Sequence, residues 1–579
     1  TTAPVFAVVR EGLTAEQGAQ LAEAFRTPNA VRPNGFFSFA DPAAHQRVPL
    51  TAATRAAAAT GAPAVDEEGR PVHEQRIDRA ALERLRPVAD EVALRQGQRL
   101  LDLGDLGEIR ATPRVGHTEL TLTDAAGGQR SYPLDTVVSY DLSLAGLPVS
   151  GQGAKLRLTV GPDGRVTQVA HALRAVERSG EIDVISPDAA REACTRLYGE
   201  DVRQGEPTLG YPFPELTERA TVRSILPQYT CDPLTGGQAH RLVPAAPGQA
   251  PAGKVGVSRS GASVSATVAV EGGTAPYTYQ WSSSTTVLDG TGERIEYRRL
   301  PRDRAETAER LTVEVTDANG LTATGSVQVD GDGTAGAELV PGGGGFGALS
   351  IAAGIEQTID EWQCAQASAN GFRSVLAQNG VGTAFDFRGA NAWERDFKEP
   401  WDGSYVDNVD ATWYTGHGSP SGFTFKGAHD DGKITPSDAR WGNKDLEWLQ
   451  LESCQVLKDT NGKHDYFGRW KQAFQGLHMM NGFDTLAYCV GGGTGATFAS
   501  YLFPMKFGSW TLRPAYRVQA AWAAMAIDRE PNNVRYRSVG LIRPDGVTNI
   551  GDHFWGQGPT GPDIKPGTGV GMWSISGVV

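Results

Sequence analysis

The spacing of apolar and polar residues changes character several times along the chain. In residues 13–25 and 79–101, Leu, Ala and Val recur every three or four positions among Glu, Gln and Arg, which predicts helices that bury one stripe. Near Asp135 the pattern shifts to strand-like alternation. Between Val138 and Glu177 two such runs flank the turn sequence Pro162-Asp163-Gly164, so this segment reads as an antiparallel hairpin. From about 255 to 329 the runs are short and β-branched, punctuated by Gly272-Gly273, Asp289-Gly290 and the Asp-Ala-Asn-Gly of 317–320. The last third mixes both periods: 359–378 and 515–527 have helical spacing, whereas 410–415, 446–452 and 476–483 are strand candidates. Strands interleaved with helices predict an α/β sandwich on a largely parallel sheet.

Two stretches have neither period. Residues 233–254 are rich in Pro, Gly and Ala, and 331–346 hold a glycine run with no side chains from which to build a core; both read as linkers. A chain of 579 residues is also too long for one core. The expected organisation is multidomain: a helix-rich segment 1–135, an α+β module 136–232, the linker 233–254, a β-sandwich 255–330, the linker 331–346 and an α/β domain 347–579.

Composition narrows function more than fold. A net charge of −13 argues against a nucleic-acid partner or an anionic membrane, either of which selects a basic face. No apolar run approaches the roughly 18–20 residues that span a bilayer, so neither nucleic acid nor membrane is expected as a partner. The start at Thr1 instead of Met fits a removed leader, although a chain cut at an arbitrary point would read the same. Five cysteines, an odd number, point to two disulfides and one free thiol in an exported protein. Cys194 and Cys231 share the N-terminal region, and Cys364 and Cys489 flank Cys454, which leaves Cys454 unpaired; five reduced, buried cysteines are the alternative.

Two strand candidates close on reactive residues. One ends Trp413-Tyr414-Thr415-Gly416-His417-Gly418, the other Leu449-Gln450-Leu451-Glu452-Ser453-Cys454. Ligand sites of open α/β sheets gather beyond the carboxyl ends of the strands, so His417 and Cys454 are predicted to meet over one crevice. The glycines beside His417 let a substrate backbone come close. A thiol next to an imidazole gains thiolate character and becomes a nucleophile. His429, His464 and His478 compete for the role of base; His478 lies inside a strand pattern, which suits a core or pocket-wall residue. A zinc protease is excluded, because His73-Glu74 is followed by Gln-Arg-Ile and no His-Glu-x-x-His exists. The run 459–465 has Lys463 where a calcium loop needs a carboxylate and lacks a closing Glu, so it reads as a solvated loop. No metal or other cofactor is required by this chemistry, and a structural calcium ion stays open.

The pair of motifs, strand–Gly-His-Gly and strand–Ser-Cys about 37 residues later, resembles the caspase, gingipain and legumain group of cysteine peptidases (clan CD). The resemblance implies a caspase-like α/β domain with His417 as base, Cys454 as nucleophile and the N–H groups of Gly418 and Cys454 as oxyanion hole. Ser453 stands where Ala is common in that group. The resemblance also implies a Cys-His dyad, a thioester intermediate and a protein or peptide substrate. By analogy of layout, the strand through His478 and Asn481 would form one wall of the specificity pocket. Tyr140, Gly146, Pro148, Val149, Gly151, Asp163, Gly164 and Val166 resemble the propeptide of thermolysin-type secreted proteases, and 185–199 looks like its adjoining helix. That similarity implies a bacterial-type exported zymogen whose N-terminal region chaperones or inhibits the catalytic domain. Segments 272–281 and 311–323 resemble a PKD-type immunoglobulin-like domain, with Trp281 in the sandwich core. The alternative, from another class, is a secreted or surface binding protein whose peptidase-like domain is inactive.

Overall fold

The computed structural model describes residues 1–44, 48–52, 66, 70–216, 221–234, 240–283, 288, 290–299, 309–329, 331–345, 355–357, 363–426, 428–488 and 493–579. The protein is multidomain and strand-rich, and its strand pairs are mostly antiparallel.

In the N-terminal region, local signals set local structure. Thr14 caps helix Ala15–Phe25 reciprocally: its Oγ1 accepts from the Gln17 N–H (3.1 Å), and Gln17 Oε1 accepts from the Thr14 N–H (3.0 Å). Pro162-Asp163-Gly164 turns Ala154–Val160 back onto Val166–Leu173, with Gly164 at φ +80°. Leu156, Leu158 and Val160 point into this module's own core. The alternate positions Lys155 and Arg157 are 2% and 1% exposed, because that face of the strand is covered by the C-terminal domain. Arg157 donates to the Val578 carbonyl (2.7 Å), and Lys155 to that of Ile527. Ser186 caps helix Pro187–Tyr198, and Cys194 on that helix is disulfide-bonded to Cys231.

The middle region has two four-stranded sheets. One holds Pro251–Ser260, Ser263–Gly272, Arg294–Arg298 and Gly333–Glu338; the other holds Thr278–Ser283, Arg310–Thr316, Thr322–Gln328 and Val340–Pro341. Val255, Val264, Val313 and Trp281 share one core, and the Trp281 Nε1–H donates to the Gly292 carbonyl at 2.8 Å. Both stretches expected to be linkers carry paired strands: Gly333–Glu338 lies on Pro251–Ser260, and Gly343–Gly345 on Arg241–Pro244. Glycine permits the second pairing, since Gly343 sits at φ +138° and a Cβ there would meet Thr324 Oγ1 at 2.6 Å.

A 12-stranded sheet dominates the C-terminal third. Phe387–Arg388, Ile355–Gln357, Ala411–Thr415, Trp448–Glu452 and Met479–Phe483 run parallel in that spatial order. From there the sheet turns antiparallel through Arg535–Ile542 and Gly571–Val578. It is completed from the other end of the chain. Glu119–Thr123 and Gln129–Pro133 continue beyond Gly571–Val578, and Gln75–Ile77 and Leu50–Ala52 extend from Val547–Thr548. The sheet expected to be largely parallel is therefore mixed, with its parallel part confined to five strands. Segment 1–135, expected to be helix-rich, has three helices and seven strands among its described residues.

Successive side chains of Ala411–Thr415 leave opposite faces of the sheet. Trp413 packs against Phe372, Phe498 and Trp522, one from each of the helices Gln363–Gln378, Thr494–Leu502 and Val518–Arg529. Tyr414 packs on the other face against Phe397 and Phe423. These two aromatic clusters pin the strand that ends at His417.

Candidate active site

His417 and Cys454 follow neighbouring parallel strands whose register pairs Ala411 with Trp448 and Thr415 with Glu452. Beyond the pairing, the two chain ends touch. The Ser453 hydroxyl donates to the Gly416 carbonyl (2.9 Å), which gives a purpose to Ser where Ala would suffice for size. A Cβ at Gly418 would lie 2.1 Å from Ser453 Oγ and 2.7 Å from the Cys454 carbonyl oxygen, so only glycine fits. The His417 carbonyl accepts from the Thr424 N–H (2.9 Å), which starts the hairpin Gly418–Ser419 with Gly422–Thr424.

Cys454 is 1% exposed, and its hydrogen bonds go to Ala487, not to His417. The thiol donates to the Ala487 carbonyl (3.7 Å), and the Ala487 N–H donates back to Sγ (3.4 Å). Burial pushes the thiol up to about 12; the Ala487 N–H opposes this and the nearby Glu530 carboxylate adds to it. The thiol is thus clasped and neutral. Of the expected second disulfide, Cys489 and the Cys364 side chain lie outside the described residues.

Behind the cysteine lies a buried acid that its sequence position did not reveal. Glu452, 1% exposed, accepts from Thr494 Oγ1 (2.5 Å), Ser368 Oγ (3.0 Å) and Thr415 Oγ1 (3.2 Å). Burial raises it to about 7 against those hydrogen bonds. Glu530, also buried, accepts from the Tyr488 N–H (2.9 Å), and burial together with Glu452 holds it well above the usual carboxylate range. The closing Glu of LEWLQLE, an acid directly after the apolar Leu451 and before the small Ser453-Cys454, was the available signal.

The N-terminal module reaches this region. Lys155 Nζ and Gln152 Nε2 donate to the Ile527 and Arg529 carbonyls at the end of helix Val518–Arg529, where the helix leaves acceptors unpaired. Burial brings Lys155 down to about 7, with Asp528 working against that. A cavity of about 340 Å³ separates the module from Tyr488 and the residues that follow Glu530. Its walls include Val149 and Ser150 on one side and Tyr488, Pro531 and Asn532 on the other.

The other expected site residues lie elsewhere. His478 precedes Met479–Phe483, whose first residue pairs with Trp448. It therefore sits at the opposite end of the sheet from Cys454, one strand of roughly 16 Å away. Its ring bonds Asp552 (2.6 Å) and Asp563 (3.1 Å) and, although burial opposes protonation, these acids raise it to about 10. Asn481 is buried mid-strand, donating to Gln450 Oε1 (3.1 Å) and accepting from Ser538 Oγ (2.5 Å), a ladder across the sheet and not a pocket wall. His429 stacks on Trp393 at 3.9 Å, and His464 lies in an exposed loop. In the 459–465 run, Asn461 Oδ1 accepts from the Lys463 and His464 N–H groups and Asp465 caps helix Tyr466–Trp470, so protein donors hold the oxygens a calcium ion would need. Asp410, Asp445 and Glu447 form an acidic group beside His478, and the Arg70 guanidinium fills it while stacking on Trp555 at 4.1 Å. A metal there would have to displace Arg70.

No curated protein and no solved structure matches the chain. Residues 352–577, which span the parallel strands, the three helices and both His417 and Cys454, match the family model described as a domain of unknown function, DUF6345.

Proposed function

We propose that the C-terminal domain is a caspase-like cysteine hydrolase that cuts peptide or amide bonds with Cys454 and His417, held latent in the conformation described above. The observation that carries this proposal is the meeting of His417-Gly418 and Ser453-Cys454 at the ends of adjacent parallel strands. Three helices covering one face of the parallel run support the same fold. In the active form the Cys454 thiol leaves Ala487 and passes its proton to His417. The thiolate attacks the substrate carbonyl carbon, and the N–H groups of Gly418 and Cys454 receive the oxyanion. His417 then protonates the leaving amine, and water hydrolyses the thioester. No cofactor enters these steps. The N-terminal region acts as intramolecular inhibitor and chaperone, which its polar contacts to the end of helix Val518–Arg529 support. The resemblances of 136–232 to a secreted-protease propeptide and of 255–330 to a PKD-type domain, together with the Cys194–Cys231 disulfide, favour an exported protein.

A second reading, a binding protein with a retired site, draws on the burial of Cys454 and its raised pKa. Alkylation of the unreduced protein across pH 5 to 9, with modified residues mapped by mass spectrometry, separates the two. With a pKa of about 12, only on the order of one thiol in 10⁵ is ionised at neutral pH, so the intact chain should label slowly. After limited proteolysis that releases the 136–232 module but leaves the strands of 50–133 on the C-terminal sheet, Cys454 should label fast and with a lower pKa that is lost in His417→Ala. A Cys454 that stays inert after detachment overturns the catalytic proposal.

A further inference from the structure

One apolar surface has no role in this site. Met505–Phe507 and Trp510–Arg513 form a two-stranded ribbon that belongs to no larger sheet. Every residue from 505 to 512 is exposed, so the ribbon stands off the body with both faces in solvent. Met505, Phe507, Trp510 and Leu512 are 49%, 77%, 76% and 62% exposed. Phe507 lies opposite Trp510, so the two aromatic rings share one face at the tip, while a register shift between Met505 and Lys506 sets Met505 opposite Arg513 and leaves Leu512 at the irregularity. Lys506, the single charged residue between 505 and 512, points to the other side with its partner Thr511. Gly508, at φ +59°, makes the tip. The base is fixed, because Arg513 donates to the Ser500 carbonyl (2.8 Å) and lies over the Tyr501 and Tyr516 rings.

From this geometry we infer that the 505–513 ribbon is a docking element for a neutral lipid surface, into which Phe507 and Trp510 insert at the headgroup level. The exposed apolar area argues for lipid over a second copy of the chain. At about 150–250 Å² per aromatic side chain and about three-quarters exposure, Phe507 and Trp510 offer roughly 300 Å²; Met505 and Leu512, smaller and about half exposed, add less than that, which leaves the ribbon below the roughly 800 Å² per partner of a stable dimer. The ribbon projects by about 13 Å, four residues of strand, which suits the 5–10 Å depth at which interfacial elements sit. Aromatic tips above aliphatic flanks follow the depth order of a lipid–water boundary, where Trp rings concentrate. Charge bears on the lipid: the ribbon's cations are Lys506, turned away from the rings, and Arg513, engaged at the base, so with −13 overall the chain is repelled by anionic headgroups and suited to zwitterionic ones. Among the described residues no helix is long and apolar enough to cross a membrane.

Flotation of the full chain with phosphatidylcholine vesicles tests this. The chain should float with the vesicles at low salt and at 0.5 M NaCl alike, and Phe507→Ser/Trp510→Ser should lose at least ten-fold in binding. Because these side chains are about three-quarters exposed and lie outside the core, the double variant should keep the wild-type thermal transition, and Lys506→Ser should bind as wild type does. Absence of binding to phosphatidylcholine overturns the inference. So does binding to anionic vesicles alone that salt abolishes, or a wild-type dimer in light scattering that the double variant converts to monomer.

Discussion

Leu120 lies far from the C-terminal domain in sequence, yet Leu120→Ala is expected to destabilise that domain. The strand Glu119–Thr123 pairs with Gly571–Val578, Leu120 facing Ile575, and Leu120 is fully buried in the same core as Trp413, Trp522 and Trp573. Truncation removes about three methylene equivalents at ~0.8 kcal/mol each. The cavity left in a sheet held by strands on both sides adds to that, so the loss should fall near 3 kcal/mol within the usual range of about 2–5. For a body of this size, that corresponds to a midpoint lowered by roughly 6–12 °C. All but one of the 12 tryptophans follow residue 347, so near-ultraviolet circular dichroism during a thermal scan reports the C-terminal domain almost alone. A tryptophan transition within about 1 °C of wild type would refute the conclusion that the N-terminal strands are part of this domain's core.

Three further outcomes are expected. Glu452 has its folded pKa raised from 4.5 to about 7; the folded state holds the proton more tightly, so this group's stabilisation is full below 4.5 and lost as pH rises to about 7. Stability measured by urea unfolding should therefore decline less over pH 4.5–7 in Glu452→Gln than in wild type, with a difference on the order of 3 kcal/mol; identical slopes would contradict the buried-acid assignment. Gly418→Ala should destabilise by about 1–3 kcal/mol through its clash with Ser453 Oγ, and adding Ser453→Ala should recover part of that loss in a double-mutant cycle, a non-additivity whose absence would refute the contact. Replacing both Cys194 and Cys231 with Ser opens a crosslink spanning 37 residues, worth about 4 kcal/mol by chain entropy, and should make the N-terminal module protease-sensitive.

Much of the local structure was legible because few residues encode it. The helix at 13–25, the Pro162–Gly164 turn, the helix within 185–199 and the strands that lead to His417 and Cys454 are each decided within a handful of positions. The site was legible to the extent that two strand ends could be placed side by side. The glycine-rich stretches misled, since a backbone without side chains pairs as well as it wanders; Gly333–Glu338 and Gly343–Gly345 are strands because a neighbouring edge was open.

By itself, the sequence determined several helices, the 162–164 turn and the strands that lead to His417 and Cys454, and it put those two residues forward as a candidate pair. Only the tertiary structure decided what each strand joins. Lys155 and Arg157 alternate with leucines as a solvated face would, and are buried because a second domain covers them. Leu50–Ala52, Gln75–Ile77 and Glu119–Pro133 (119–133) complete a sheet whose other strands lie hundreds of residues away. The same long-range packing closes Ala487 over the Cys454 thiol, cages Glu452 in hydroxyls and carries His478 to the far end of the sheet. Side-chain period is a property of a few neighbouring residues, whereas burial depends on which surfaces meet; that is set by the shared apolar core of the whole chain.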